Sequence, residues 1–182
     1  MGTVVACSTP FGSSGIAIVR ISGDESHKIT SLLINNSSKK NKHNSPTLFS
    51  LVDVDGFVYD EAVVNFLFGP NTYTGEDLVE INLHGNPVII EKTIALCCSY
   101  GATAAPGGEF TKRAFLNGKF DLTAAEGLAD LIDAETEVQH RQAIRQLGGG
   151  LEKIYTNWHK PTVKNAKAKF ATACRQTPFT AQ

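Results

Sequence analysis

The chain has little that would commit it to a membrane, a metal or an extracellular life. Its four cysteines, Cys7, Cys97, Cys98 and Cys174, show no C-x-x-C spacing and no histidine at metal-site intervals. Neither a zinc site nor a redox pair is suggested, and reduced thiols in a cytoplasm fit best. No apolar run approaches the roughly 20 residues needed to span a bilayer, and no basic start leads into an apolar stretch with a small-residue cleavage site. Membrane insertion and secretion are therefore not expected. Excess charge is missing too: 17 Lys and Arg stand against 18 Asp and Glu in 182 residues, a formal net charge of -1. That balance gives no general electrostatic case for a nucleic-acid surface. Locally, Lys39, Lys40, Lys42 and His43 share a polar stretch, and Lys153, Lys160, Lys164, Lys167, Lys169 and Arg175 face only Glu152 beyond Gly150. These fit either a solvated face or an anionic partner. A nucleotide-triphosphate loop is also absent, because Gly118-Lys119 has Arg113 five positions before the glycine and Phe120 after the lysine.

What is present is a chain long enough for one ordinary domain and an appendage, with apolar content enough for a packed core. Val4 to Ser8 and Ile16 to Ser22 predict two strands around a Thr9–Gly15 loop, and Asp24 to Leu33 a short amphipathic helix. Asn35 to Thr47 predicts a mobile surface loop. Leu48 to Val54 and Phe57 to Phe68 flank Asp55-Gly56, a hairpin signal because glycine accepts positive φ. Leu78 to His84 alternates, with Val79, Ile81 and Leu83 on one face and Glu80, Asn82 and His84 on the other. Pro87 to Tyr100 predicts a helix capped by Gly101, and Ala102 to Ala104 a last short strand. Strands and helices mix without a strict βαβ repeat, which predicts an α+β fold with a mixed or antiparallel sheet. Further on, Thr123 with Glu126, and Thr136 with Gln139, have capping-box spacing and predict two helix starts. The second helix is expected to pause at Gly148-Gly149-Gly150 and to resume through Leu151, Ile154, Tyr155 and Trp158 before Pro161.

Three positions carry candidate binding chemistry. Arg20 shares a strand face with Ile16 and Ile18, where its guanidinium either meets a carboxylate or phosphate or snorkels to water at an edge. Glu80, with Asn82 and His84, forms either a hydrogen-bonding wall for a heteroaromatic ligand or a solvated sheet face. Lys119, just before a helix, is either an anion contact or a solvated lysine. His84 as a base and Cys97 as a nucleophile have no visible partner, so no catalytic residue is assigned.

Four stretches, in this order, carry a resemblance. They are Thr9-Pro10-Phe11-Gly12 with Val19-Arg20-Ile21-Ser22-Gly23; Gly69-Pro70-Asn71-Thr72-Tyr73-Thr74-Gly75-Glu76-Asp77 with His84-Gly85; Gly108-Glu109-Phe110-Thr111-Lys112-Arg113-Ala114-Phe115-Leu116-Asn117-Gly118-Lys119; and Asp121-Leu122-Thr123 with Ala129-Asp130-Leu131-Ile132-Asp133-Ala134. Over about residues 3 to 160 the chain resembles the N-terminal region of the MnmE (TrmE) family of tRNA-modifying GTPases.

The resemblance implies a domain at 1–120 folded like the folate-binding domain of the aminomethyltransferases, then the start of a central helical domain at 121–182, with the family's GTPase part absent. It implies a homodimer that binds 5-formyl-tetrahydrofolate or methylene-tetrahydrofolate through Arg20, Glu80 and Lys119. GTP, Mg and K belong to full-length members only, so this chain alone is not expected to turn over GTP. The implied partners are the flavoprotein MnmG (GidA) and tRNA, in an aminomethyl-type modification of the wobble uridine at C5, in the cytoplasm. The chain departs from the family where Pro106-Gly107-Gly108 replaces Arg-Pro-Gly, Asn86 replaces a glycine, and Gly12-Ser13-Ser14-Gly15 replaces Gly-Arg-Gly-Gly. Two loop arginines are thereby lost, which bears on affinity for anionic ligands.

Overall fold

A computed structural model describes residues 1–35 and 44–148. The chain divides into two compact units, Met1–Lys119 and Phe120–Gln182. The basic cluster at 39–43 and the expected helix through Leu151 to Trp158 lie outside the described residues.

The first unit is α+β. Its elements run β1 (Val4–Cys7), β2 (Ser14–Ser22), α1 (Ser26–Leu33), β3 (Ile34–Asn35), β4 (Thr47–Val52), β5 (Val58–Leu67), β6 (Leu78–Gly85), α2 (Pro87–Ser99), β7 (Thr103–Ala104) and α3 (Glu109–Leu116). The strands form one seven-stranded sheet in the order β3-β4-β5-β6-β2-β1-β7. Neighbours pair antiparallel except β1 and β7, which are parallel. The sheet is therefore mixed, with the antiparallel majority that the hairpin signal predicts.

Strand alternation sorts the side chains onto two faces. The inner face is continuous hydrocarbon: Val19 and Ile21 on β2, Val64 and Phe66 on β5, and Val79, Ile81 and Leu83 on β6 are all buried. Ile29 and Leu33 of α1 and Ile90 and Cys97 of α2 complete this core. Each such aliphatic side chain contributes about 1.5–3 kcal/mol by leaving water, so this face holds the unit together. Helix α2 starts where it does because Asn86 Oδ1 accepts the Val88 N–H at 2.9 Å and Pro87 takes the first turn. Asn86, one of the departures from the family motif, thus has a local job as N-cap. Gly85 must lack a side chain, since a Cβ there would stand 2.0 Å from Ser14 Oγ across the β2–β6 pair.

Several boundaries differ from the pattern-based expectation. Asn35 and Thr47 are strand residues, Asn35 pairing with Ser50, so both ends of the predicted loop belong to strands. The Asp55-Gly56 turn is wider than a two-residue hairpin, because Asp53 Oδ1 accepts the N–H groups of Asp55 and Phe57 and builds the turn from one residue earlier. Helix α3 has no counterpart in the periodicity reading; it begins after Gly108 at φ 79°, a conformation that suits glycine.

In the second unit, α4 (Leu122–Ile132) and α5 (Glu137–Leu147) are the described helices. The N-cap of α4 is Asp121, whose Oδ1 accepts the Ala124 N–H at 2.7 Å, and not Thr123, whose hydroxyl itself donates to Asp121. An ionised carboxylate is the stronger acceptor at a helix N-terminus. The Thr136–Gln139 capping box forms as expected. Gly127 admits α5 closely: a Cβ there would lie 2.9 Å from the Leu147 nitrogen.

Candidate functional site

The outer face of the sheet is built in rows, because cross-strand partners stand side by side. At one end Val4, Ser22, Leu78 and Leu67 form a row across β1, β2, β6 and β5. Ser22 and Leu78 are buried there, since the 69–77 loop and α3 lie over them. One row further along come Ala6, Arg20, Glu80 and Asn65. The next row, Ile18, Asn82, Val63 and Leu48, lies toward the open end. The polar row sits at the step where the covering layer ends.

The covering layer is held by charge. Arg113 is 4% exposed and its guanidinium reaches three acceptors: Glu109 Oε1 at 3.2 Å, Glu76 Oε2 at 2.9 Å and the Gly2 carbonyl at 2.7 Å. Glu76 in turn accepts from the Ser22 hydroxyl at 2.9 Å, which ties the loop down onto β2. Burial alone would raise the pKa of Glu109, but hydrogen bonds from Arg113 and Lys112 outweigh it and hold the carboxyl below its usual range. Gly75, at φ 79°, lets the loop close against Asn117, whose Nδ2 donates to the Thr74 carbonyl at 2.7 Å.

At the step, Arg20 Nε and Nη2 both donate to Glu80 Oε1, at 3.1 and 2.7 Å, with the two side chains 22% and 25% exposed. The guanidinium carbon lies 5.3 Å from the Tyr73 ring centre and 5.6 Å from that of Phe110. Tyr73 comes from the loop and Phe110 from α3, and Tyr73 Oη is 3.0 Å from Thr111 Oγ1. One Glu80 oxygen takes both Arg20 bonds; among the described residues Oε2 and Arg20 Nη1 take none. The pair is half committed, with an acceptor and a donor left to offer a ligand.

Of the three residues singled out in the sequence, Arg20 and Glu80 are brought together as direct cross-strand partners. Lys119 joins neither: its Nζ donates to the Pro70 carbonyl at 2.9 Å, on the loop that carries Tyr73. His84, which has no visible partner in the sequence, has one in the fold. Its Nδ1 lies 2.6 Å from Asp60 Oδ1, and its backbone N–H donates to Asp60 Oδ2 at 3.0 Å. The Asp60 hydrogen bond, then its charge, raises the His84 pKa above the ordinary value. Cys97 is buried and its thiol is pushed up to about 12, which removes it as a nucleophile at neutral pH. Among the described residues no cluster of His, Cys, Asp or Glu could hold a metal ion, and no helix is long and apolar enough to cross a membrane.

Against known proteins, residues 3–119 match the family described as GTP-binding protein TrmE N-terminus. The chain belongs to this TrmE N-terminal family. Among its relatives, a tRNA modification GTPase MnmE of Rickettsia bellii is 47% identical over 171 residues, covering 90% of this chain and 37% of the relative. MnmE of Ehrlichia chaffeensis is 46% identical over 163 residues, covering 90% and 36%. MnmE of Wolbachia pipientis subsp. Culex pipiens is 44% identical over 158 residues, covering 87% and 35%. The chain therefore spans little more than a third of the relatives it matches.

The TrmE N-terminal match ends at Lys119, where the first compact unit ends. Every side chain described at the step and in its covering layer lies inside that match, and the Gly2 carbonyl that Arg113 reaches lies one residue before it. Periodicity missed Tyr73, Phe110, Glu76 and Arg113, because they lie on a loop and a short helix. Only their presence in the family-like stretches marked them.

Proposed function

We propose that this chain is the folate-binding, homodimer-forming module of a tRNA modification GTPase. It would hold 5-formyl-tetrahydrofolate or methylene-tetrahydrofolate at the step, with Arg20, Glu80 and Lys119 as contacts. The observation that carries this is the Arg20–Glu80 pair, cross-strand, between two aromatic rings, with one carboxylate oxygen and one guanidinium nitrogen still unused. A pterin offers amino and ring N–H groups to an acceptor-only carboxylate, and the anionic remainder of a folate suits Arg20 and Lys119. The α+β architecture supports a likeness to the folate-binding domain of the aminomethyltransferases as part of the same proposal.

The open end of the outer face supports self-association. Ile16, Leu48 and Val63 are exposed there, 55%, 53% and 37%, and a second copy would cover them. In this reading the module serves a one-carbon, aminomethyl-type modification of the tRNA wobble uridine at C5, together with MnmG (GidA) in the cytoplasm. The 182 residues contain no phosphate-loop motif, so GTP turnover belongs to the rest of such a protein.

Calorimetric titration of 5-formyl-tetrahydrofolate into the chain, beside an Arg20→Ala, Lys119→Ala double variant, tests the pocket. Micromolar binding that the variant loses is the expected result. A folded chain that gives no heat would reduce the Arg20–Glu80 pair to a structural ion pair. Sedimentation at micromolar concentration tests the dimer, and a monomer would contradict it.

A further inference from the structure

Three buried side-chain polar atoms have no hydrogen-bond partner among the described residues: Ser26 Oγ, Asn65 Oδ1 and Gln146 Oε1. Native proteins keep few such atoms, because each forfeits its bonds to water without replacement. Ser26 opens α1 and Gln146 lies on α5 of the second unit, so neither is a strand residue of the polar row. Asn65 is different, because it stands directly opposite Glu80 across β5 and β6, in the row that continues to Arg20.

The pleat fixes its direction. Val64 and Phe66 on either side of Asn65 are fully buried in the core, so Asn65 projects from the outer face with Glu80 and Arg20. Strands lie about 4.8 Å apart, so the three side chains span about 10 Å of one row, comparable with a bicyclic heteroaromatic ligand. Their unused atoms differ in kind. Asn65 has an acceptor and an amide donor, Glu80 an acceptor, and Arg20 a donor. An apolar residue at 65 would fill the same strand position without the cost of a buried unpaired carbonyl.

We propose that Asn65 is a ligand-binding residue of the folate site, whose buried carbonyl accepts an amino or ring N–H from the pterin edge that Glu80 engages. This rests on the folate reading above. On binding, the groups that keep this atom from solvent give way to the ligand donor, and the cost of its unpaired burial is returned.

The proposal joins two effects of opposite sign, which a structural asparagine would not show. Asn65→Leu, with Asn65→Ala as a second variant in case leucine is not accommodated, is compared with the unaltered chain in two measurements. The first is thermal unfolding without ligand, where removing the orphan should leave the melting temperature of Asn65→Leu equal or higher. The second is calorimetric affinity for 5-formyl-tetrahydrofolate, which should weaken about tenfold in both variants, with sedimentation unchanged. Unchanged affinity overturns the role of Asn65 while leaving the folate reading intact. A lower melting temperature of both variants overturns it in favour of a structural amide, and a loss of dimer in favour of a contact with a second copy. No binding even by the unaltered chain overturns the folate reading, and the Asn65 assignment with it.

Discussion

Two arginines, Arg20 on strand β2 and Arg113 on the covering helix α3, behave oppositely. Arg113 lies under the covered end, where Glu109, Glu76 and the Gly2 carbonyl take its donors. Arg20 stands at the step, with two bonds to a single oxygen of Glu80 and one nitrogen unused among the described residues. A buried guanidinium is tolerated only when its nitrogens find acceptors, so Arg113, each of whose three nitrogens donates a hydrogen bond, is a structural rivet. The half-satisfied one is a contact of the proposed folate site. The difference lies not in residue type but in how many acceptors the fold brings to each.

The strongest way to break this comparison is to remove each arginine in turn. Arg113→Met strands Glu76 and Glu109 near the interior and should cost about 3–5 kcal/mol of stability in chemical denaturation. Arg113→Lys should recover only part of it, because an ammonium cannot present the planar fork. Arg20→Ala should cost about 1 kcal/mol or less while abolishing folate binding. Equal losses of stability would erase the distinction.

A step smaller in effect, Gly75→Ala attacks the covering loop without touching either arginine. It forces a side chain into φ 79° with its Cβ 3.0 Å from Asn117 Cβ, and should cost about 1–3 kcal/mol. Folate affinity should fall as well, since Tyr73 rides on the same loop. An unchanged melting temperature would show the loop to be loosely held.

Titration separates the two ends. Glu109, under the cover, has a lowered pKa in the folded chain, so its contribution is present above the unfolded value of about 4.5 and is lost as pH falls through the lower folded value. His84, at the open end, has a raised pKa. Its contribution is fully present below 6.5 and is lost as pH rises through the folded value. Stability against pH should therefore weaken on both sides. Asp60→Asn should remove most of the alkaline limb, and Glu109→Gln should reduce the acid one. If Asp60→Asn leaves the alkaline limb in place, the pairing at the open end is not its source.

The gentlest change is on the open end itself. Ile16→Lys with Val63→Lys should alter monomer stability by no more than about 0.5 kcal/mol per site, yet shift the sedimentation profile from dimer to monomer. A dimer that persists would place self-association elsewhere.

Much of this was legible beforehand, and the residues show why. The alternation of Leu78 to His84 put Glu80 on the face away from Val79 and Ile81, and the spacing of Thr136 and Gln139 marked a helix start that forms as read. Both are local signals, set by two- or four-residue geometry. The capping-box spacing places the N-cap of α4 two residues late, because Thr123 satisfies the spacing while Asp121 makes the stronger bond. His84 shows no partner in the sequence because Asp60 lies 24 residues away and reaches it only through the β5–β6 pairing.

The sequence by itself determined the class of fold, the inner core face and the family, because hydrophobic periodicity and ordered motifs are written along the chain. Tertiary structure alone decided that Arg20 faces Glu80, that Tyr73 and Phe110 flank the pair, that Arg113 is buried among carboxylates, and that Asn65 Oδ1 has no hydrogen-bond partner among the described residues. Those facts depend on strand register and on a loop folding back over a sheet, and no local pattern encodes how many acceptors a distant segment will bring to a side chain.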